Sequence, residues 1–173
     1  PSTAAILADL GARVIKVEPL TGDPGRGLGR PAKIEGDLQG YDFGFDVDNR
    51  GKQSIAIDLD CPAGVAVVHR LVAGAQGFMC NLLPHRQQRF GLDPATVMAI
   101  NPALVHATLT GYGTSGPDAL RPGYDVTAFF GRSGLYDAMR EGDAGDVPMA
   151  RPAQGDHTTG LALLGAILAA LRM

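Results

Sequence analysis

The chain has 173 residues, of which 45% are hydrophobic and 19% are charged, and its formal net charge is −3. This length and composition predict one globular domain with a hydrophobic core, since domains most often contain about 100 to 150 residues, and they exclude a largely disordered chain. The weak negative charge argues against nucleic-acid binding and against binding to an anionic membrane, because both use positively charged surfaces.

The two cysteines and the ends of the chain bear on its location and completeness. Cys61 and Cys80 show no CxxC motif and no secretion signal precedes them, so we expect reduced thiols in a cytoplasmic protein. The apolar run at 161–171 is shorter than the roughly 20 residues of a membrane span and predicts a buried helix. Helical patterns reach both chain ends, so we expect a single domain over residues 1–173, truncated on both sides.

The first part of the chain predicts a helix, a strand and a long loop. Residues 2–10 have a helical pattern that ends at Gly11, and residues 13–18 alternate β-branched and charged residues as a strand does. Residues 19–52 are rich in glycine and proline and too long for an ordinary connection. We therefore expect a functional or mobile loop there.

The middle of the chain alternates strand and helix patterns. A strand at 54–60 is followed by a helix beginning at Pro62 and by a short strand at 77–82, an order that predicts a right-handed βαβ unit. Two short helices, over 85–91 and 93–101, precede a strand within 103–113. This alternation predicts an α/β fold, a Rossmann-like and mainly parallel sheet with helices on both faces.

The last part of the chain predicts two further helices. Residues 124–136 have a helical pattern, residues 141–148 form a loop rich in glycine and acidic residues, and a final helix starts near Asp156. No internal repeat is visible in the chain.

Several familiar motifs fail on spacing. The loop sequence GDPGRGLG after the first strand matches neither GxGxxG nor GxxxxGK[ST], which argues against a dinucleotide or P-loop site. The histidines show no HxH or HExxH spacing, so we expect no metal site, and Ser115 does not lie in a GxSxG motif. The basic cluster HRQQR at 85–89 predicts a solvated helix face, with phosphate contact as the alternative.

Asp156 is the most informative single residue, because it stands in GDHTTG just before an apolar helix. One interpretation is an N-cap, in which the carboxylate accepts a backbone N–H of the first turn and contributes about 1 kcal/mol. The other is a nucleophile, because the small neighbouring residues would let a bulky ligand approach an ionised carboxylate. The residues alone leave both interpretations open, and the two are compatible.

Six sequence blocks occur in order along nearly the whole chain. They are LADLGARVIKVEP, NRGKQSIAIDLD, NLLPHRQQRFGLDP, NPALVHATLTGYG, RPGYDVTAFFGRSG and GDHTTGLALLGAILAAL. Together they resemble the N-terminal part of a family III CoA-transferase, the group of formyl-CoA transferase and carnitine CoA-transferase, to which alpha-methylacyl-CoA racemase is related. The resemblance implies the large domain of an interlocked homodimer, with the small domain and C-terminal segments absent.

The resemblance assigns chemistry to Asp156. In the family, the matching aspartate attacks an acyl-CoA thioester, forms an acyl-aspartyl anhydride and then an aspartyl-CoA thioester, and passes CoA to an incoming carboxylic acid. It implies an acyl-CoA and a carboxylic acid as substrates and no tightly bound cofactor. Backbone donors would stabilise each oxyanion, typically by about 3 to 4 kcal/mol per donor.

The resemblance also implies a set of CoA-binding residues. These are Ile57, Asp58, Leu59, Asp60, Asn81, Leu82, Leu83, Arg89, Arg121 and Tyr124. The chain departs from the family at Pro19, where a basic residue is common, so the phosphates would depend on Lys16 or on a loop arginine such as Arg26. Leu82 stands where an aromatic residue is common, which weakens stacking on the adenine.

Three alternatives remain at this point. Related racemases have a histidine in a GHD block, and this chain has Tyr124 there, a poor base at pH 7 given its pKa near 10. Transferase is therefore favoured over racemase. A non-catalytic CoA-binding module is the non-enzymatic alternative, and a nicotinamide-dependent dehydrogenase would need a phosphate fingerprint that the chain lacks.

Overall fold

The computed structural model describes residues 1–27, 41–142, 145–151 and 153–173. These residues form two compact units, Pro1–Val67 and Val68–Met173. The single-domain organisation expected from the sequence stays a prediction. Residues 28–40 of the predicted long loop and positions 143 and 144 of the predicted glycine- and acid-rich loop lie outside the described residues.

The first unit contains one pair of parallel strands. Helix α1 (Ser2–Asp9) is followed by strand β1 (Ile15–Glu18), a 3-10 turn (Pro24–Gly27), helix α2 (Phe43–Asn49) and strand β2 (Gln53–Ala56). Gly11 follows α1 with φ +94°, a left-handed conformation that favours glycine and commonly ends a helix, as predicted. Strands β1 and β2 pair in parallel, with Ile15 opposite Gln53 and Glu18 opposite Ala56.

Helix α2 corrects the prediction of one long irregular loop over 19–52. Asp42 caps the helix, since its carboxylate accepts the backbone N–H of Phe45 at 3.0 Å. No residue of α2 is buried. Its apolar residues Phe43, Phe45 and Val47 alternate with glycine and aspartate, which is the spacing of a strand and not of a helix.

Helix α3 (Pro62–Ala73) begins at the predicted proline, and the second unit then repeats the parallel arrangement. Strand β3 (Gly77–Cys80), helices α4 (Pro84–Arg89) and α5 (Pro94–Ile100) and strand β4 (Val105–Thr108) follow in the predicted order. Strands β3 and β4 pair in parallel, with Gly77 opposite Val105. Proline stands at the start of α3, α4 and α5, where its fixed φ suits a helix and its missing N–H is not needed.

The strand pairing differs from the predicted βαβ unit over residues 54–82. Among the described residues, β2 pairs with β1 and β3 pairs with β4, so the strands form two two-stranded sheets. Each strand has four residues, and such short patterns do not indicate which strand is the neighbour. The prediction that helices connect parallel strands is confirmed, with α2 in one connection and α4 and α5 in the other.

After β4 the second unit continues as helical structure. A π-helical segment (Asp125–Gly131) and helix α6 (Leu135–Ala138) occupy the predicted helical stretch, and helix α7 (Gln154–Ala170) is the last element. The core of this unit contains Phe130, which is 1% exposed, and the fully buried Val97.

The prediction that residues 161–171 form a buried helix is wrong for the described residues. Leu161 is 57% exposed, and the buried residues of α7 are Gly155, Gly160, Leu164 and Ile167. The helix is apolar around its whole circumference, and the described residues cover one face of it. Within the described part of the chain, no helix combines the length and the apolarity needed to cross a membrane.

Candidate active site

Asp156 lies on the first turn of α7, and it is exposed. The N-cap of this helix is Ala153, whose side chain makes no capping hydrogen bond, so the prediction that Asp156 is the N-cap is wrong. The helix begins earlier than expected, because Ala153 adopts a left-handed conformation with φ +64°. The Asp156 carboxylate still lies at the positive end of the helix dipole, where a negative charge is favoured.

A carboxylate from an earlier element holds this first turn. The backbone N–H of Gly155 donates to Oδ1 of Asp125 at 3.0 Å. A Cβ on Gly155 would lie 2.5 Å from Cδ1 of Phe129 and closer still to the Asp125 carboxylate. Glycine is therefore the residue that fits immediately before Asp156.

A close crossing of two chain segments positions Asp125. After β4, the backbone at Gly111 passes so close to Gly123 that a Cβ on Gly111 would lie 2.7 Å from the Cα of Gly123. The carbonyl of Tyr124 then accepts the N–H groups of Thr127 at 3.1 Å and of Ala128 at 2.7 Å, which starts the π-helical segment. The segment that carries Asp125 is thus fixed against the end of β4.

Aromatic packing supports the same segment from inside the unit. The ring of Phe130 lies 5.2 Å from the rings of both Phe129 and Tyr136, measured between centroids. Such aromatic pairs stabilise beyond their buried area. Phe129 is also the side chain that lies against Gly155, so the packing extends to the turn that carries Asp156.

Two expected CoA-binding residues, Arg121 and Tyr124, precede the π-helical segment in the chain. Tyr124 is 78% exposed, and its neighbour Asp125 connects it to the turn of Asp156. The guanidinium of Arg121 donates to Oδ1 of Asp118 at 3.1 Å, while Arg132 donates to Oδ2 of the same carboxylate at 3.0 Å. Hydrogen bonding to Arg121 holds the pKa of Asp118 below its usual value. The positive charge of Arg121 is therefore partly neutralised by its neighbour.

A buried glutamine side chain forms a hydrogen bond to the segment that follows β3. Asn81 is exposed, whereas Leu82 is half-buried, and its carbonyl accepts the side-chain N–H of Gln87 at 2.6 Å. Gln87 is 2% exposed, so the prediction that the cluster at 85–89 is a solvated helix face is wrong for this residue. Arg89 is exposed at the end of α4, and its guanidinium lies 5.4 Å from the ring of Phe90.

The expected adenine-binding residues, Ile57 to Asp60, follow β2 in the first unit. Ile57 is 7% exposed, and its N–H donates to the carbonyl of Glu18 at 2.9 Å. Oδ1 of Asp58 accepts the N–H of Asp60 at 2.9 Å, which closes a tight turn. A Cβ on Gly64 would lie 2.9 Å from Cγ2 of Ile57, so this turn packs closely against the start of α3. The turn presents backbone groups at the carboxyl end of a parallel strand, where α/β proteins commonly bind ligands.

The two cations proposed to replace a basic residue at Pro19 are both paired. Glu18 is 4% exposed at its side chain, and its Oε1 accepts from the Arg26 guanidinium at 3.0 Å and from the Ser54 hydroxyl at 2.9 Å. The Arg26 guanidinium lowers the pKa of Glu18 to about 2. Lys16 forms an ion pair with Asp23. Both cations therefore stabilise this loop in the structure.

A cavity of about 520 Å³ opens beside the first turn of α7. Its lining combines apolar, polar and basic side chains: Met139, Met149, Ala150, Arg151, Ala153, Gln154 and His157. Gln154 and His157 flank the Gly155–Asp156 pair in the helix, and Asp156 is not among the lining residues. No group of three His, Cys, Asp or Glu side chains that could hold a metal ion occurs among the residues that the structure describes.

Three contacts were not predicted from the sequence. They are the hydrogen bond that Asp125 accepts, the close packing at Gly155 and the buried hydrogen bond of Gln87. The sequence signal for Asp125 was its place in the GYD block next to Tyr124. Its contact with Gly155 joins residues 30 positions apart, and no local pattern contains that information.

Comparison with known proteins places these features in a family. A family model described as CoA-transferase family III matches residues 1–173. The chain is 36% identical over 176 residues to cinnamoyl-CoA:phenyllactate CoA-transferase of Clostridium sporogenes, covering 99% of this chain and 41% of that protein. It is 38% identical over 173 residues to succinate–glutarate CoA-transferase of Agrobacterium fabrum, covering 99% of this chain and 43% of that protein.

The fold is also similar to a solved structure. A CAIB/BAIF family protein from Brucella suis superposes with a TM-score of 0.86 at 38% sequence identity, over 100% of this chain and 45% of that chain. The α/β fold expected from the sequence is thereby confirmed. The chain spans less than half the length of these relatives.

Proposed function

Because the chain belongs to CoA-transferase family III, we propose that the protein that contains it moves CoA from an acyl-CoA to a carboxylic acid, with Asp156 as the nucleophile. The observation that carries this proposal is the exposed carboxylate on the first turn of α7. The resemblance of the GDHTTG block implies that Asp156 corresponds to the family's attacking aspartate.

The reaction begins with two exchanges at Asp156. A carboxylate oxygen of Asp156 attacks the thioester carbonyl, the C–S bond breaks, and CoA thiolate leaves an acyl-aspartyl anhydride. The thiolate then attacks the aspartyl carbonyl and releases the donor as a free carboxylate, so that Asp156 carries CoA as a thioester. Covalent catalysis of this kind replaces one difficult transfer with easier steps.

The second half of the reaction reverses these steps with a new acid. The acceptor carboxylate attacks the aspartyl-CoA carbonyl and expels CoA thiolate, which forms a second anhydride. The thiolate attacks the acceptor's carbonyl, releasing the new acyl-CoA and restoring the Asp156 carboxylate. No net proton or electron is consumed, so these steps balance without an oxidant or a reductant.

Three features of the described residues support this chemistry. The first-turn position favours the negatively charged form of Asp156. Gly155 lets the backbone directly before Asp156 pack against the Asp125 carboxylate and the ring of Phe129, since its site admits no Cβ. A cavity lined by Gln154 and His157, which flank the Gly155–Asp156 pair, also has methionine side chains and Arg151 in its lining.

We propose that the residues assigned to CoA by the resemblance take part in binding it. In the first unit, Ile57 to Asp60 would meet the adenine through backbone groups. In the second, Asn81 to Leu83 and the guanidinium of Arg89 would bind CoA, since guanidinium groups bond two phosphate oxygens at once. The exposed ring of Tyr124 would border the pantetheine arm together with Arg121.

The architecture of the whole protein is part of the proposal. We propose that this chain is the large domain of a longer subunit, since it spans 41% of a relative that it matches along 99% of its own length. The interlocked homodimer and the cytoplasmic location also remain proposals. Both Cys61 and Cys80 are free thiols, which agrees with a reducing compartment.

The proposal is tested with the longest protein that contains this chain. Donors and acceptors are taken from the named relatives: succinyl-CoA or cinnamoyl-CoA with glutarate or phenyllactate. Asp156→Asn should lower the rate of transfer by at least about 10³-fold, because the amide cannot attack the thioester. The matched control is Asp137→Asn, which changes a carboxylate that is 82% exposed on α6 and should leave the rate within about twofold of the unchanged protein.

Two results would overturn the proposal. Transfer by Asp156→Asn at the unchanged rate would remove Asp156 from the chemistry. Exchange of the α-proton of a 2-methylacyl-CoA without any carboxylic acid acceptor would instead identify a racemase.

A further inference from the structure

We infer that Asp125 is a positioning residue for Asp156: its carboxylate holds the backbone N–H of Gly155 and thereby fixes the helical turn from which the nucleophile projects. This inference rests on the proposed function of Asp156. Asp125 does not itself attack the substrate in this account.

Helix α7 has no side-chain cap of its own. The first N–H groups of a helix have no partner within the helix, and an N-cap side chain normally accepts one of them. Ala153 occupies the N-cap and has no side-chain acceptor. Asp125 supplies the missing acceptor from the π-helical segment, at 3.0 Å from the Gly155 nitrogen.

The first turn of α7 also packs tightly against the π-helical segment at Gly155. A side chain at position 155 would collide with the Asp125 carboxylate and with the ring of Phe129. The carboxylate and the ring therefore set how closely the first turn of α7 approaches the π-helical segment. Because Asp156 follows Gly155 directly, a shift of this turn moves the attacking carboxylate.

The second carboxylate oxygen of Asp125, Oδ2, has a different environment from Oδ1. Oδ2 is buried and has no hydrogen-bond partner among the described residues. Burying a carboxylate oxygen without a partner is unfavourable, and such groups in native structures call for an explanation. A requirement to hold the nucleophile's turn supplies one, because a residue without a side-chain acceptor, such as alanine, would leave the Gly155 N–H without its partner.

A matched carboxylate in the same unit allows a controlled test. Asp93 caps α5, where its Oδ1 accepts the N–H of Thr96 at 3.1 Å. Asp93→Ala and Asp125→Ala each remove a carboxylate that accepts one backbone N–H at the start of a helix. The two variants differ in whether the helix carries Asp156.

The measurement is the single-turnover rate of CoA transfer, together with KM for the acyl-CoA and the melting temperature of each variant. Asp125→Ala should lower the single-turnover rate by about 10²-fold, the loss expected when reacting groups are misplaced by about 1 Å, while KM changes by less than about threefold. Asp125→Asn should stay within about threefold of the unchanged protein, since its amide oxygen can still accept the Gly155 N–H. Asp93→Ala should match the unchanged protein in rate.

The outcomes separate this inference from the proposed function. If Asp125→Ala reacts at the same rate as Asp93→Ala, Asp125 is only a structural cap and the inference fails, although Asp156 remains the nucleophile. If Asp125→Asn loses as much as Asp125→Ala, the charge and not the hydrogen bond matters, which also overturns the inference. If Asp156→Asn transfers CoA normally, the proposed function fails first.

Discussion

Replacing Gly155 by alanine tests the geometry of the candidate active site most sharply. The new Cβ would lie 2.5 Å from Cδ1 of Phe129 and closer still to the Asp125 carboxylate. Carbon atoms in good contact are about 3.5 to 4.0 Å apart, so one of the neighbours must move by about 1 Å.

The expected change in the free energy of unfolding is the sum of two destabilising effects and one stabilising effect. Overpacking typically costs about 1 to 3 kcal/mol, and loss of the hydrogen bond to the Asp125 carboxylate costs about 1.5 kcal/mol. Alanine is better than glycine inside a helix by about 1 kcal/mol. We therefore expect the free energy of unfolding to fall by about 2 kcal/mol, which lowers the melting temperature by roughly 4 to 8 °C.

The same helix provides the control. Gly165 is exposed, and a Cβ there would meet no atom within 4 Å. Gly165→Ala should therefore raise the free energy of unfolding by up to about 1 kcal/mol through helix propensity alone. Calorimetry should show melting temperatures that move in opposite directions for the two variants, and equal shifts of the same sign would refute the close approach at Gly155.

Two further predictions concern buried polar groups. Since Arg26 holds the pKa of Glu18 at about 2 rather than 4.5, the folded state is stabilised above pH 4.5 and loses that stabilisation as the pH falls towards 2. This difference in the pKa of Glu18 corresponds to roughly 3 kcal/mol of folding stability. Because solvent screens the exposed Arg26 guanidinium, we expect a contribution of about 2 kcal/mol. Urea unfolding at several pH values should show this loss of unfolding free energy below pH 4.5, and Arg26→Ala should make the loss smaller. If the unfolding free energies of both proteins depend equally on pH, Arg26 is not the cause of the low pKa of Glu18. Gln87→Leu should lower the free energy of unfolding by about 1 to 2 kcal/mol, because the Leu82 carbonyl loses its donor, whereas Gln88→Leu on the exposed side should change it by less than about 0.5 kcal/mol. Equal unfolding free energies for these two variants would mean that the Gln87 bond is absent in solution.

Helix ends were predictable where a single residue determines the local conformation. Gly11 after α1 and Pro62 at the start of α3 stand where the sequence indicated. Their effect is local, since each restricts or frees its own backbone angles. Helix α2 was missed because the apolar residues that follow its cap, Asp42, alternate as they do in a strand.

Strand pairing and burial could not be predicted in the same way. Strand β2 pairs with β1 rather than forming the expected unit with β3, and four-residue strands do not specify their neighbours. The exposure of Leu161 likewise depends on what covers α7, which composition does not reveal.

The candidate active site was predicted in part. The resemblance assigned the nucleophile to Asp156, whereas the residues alone left a capping role and a nucleophile both open. The structure has Ala153 at the N-cap of α7. The contact between Asp125 and Gly155 joins two elements through tertiary packing. An acid in one block and a glycine in another show no sign of that contact in the sequence.

The most direct test of the central claim is covalent trapping at Asp156. The longest protein that contains this chain is mixed with an acyl-CoA and no acceptor, treated with hydroxylamine, digested, and analysed by peptide mass spectrometry. The account predicts a hydroxamate on the peptide that contains Asp156, dependent on acyl-CoA and absent from Asp156→Asn. Transfer of CoA to an acceptor by a protein that never yields this hydroxamate, or a hydroxamate on a different residue, would contradict it.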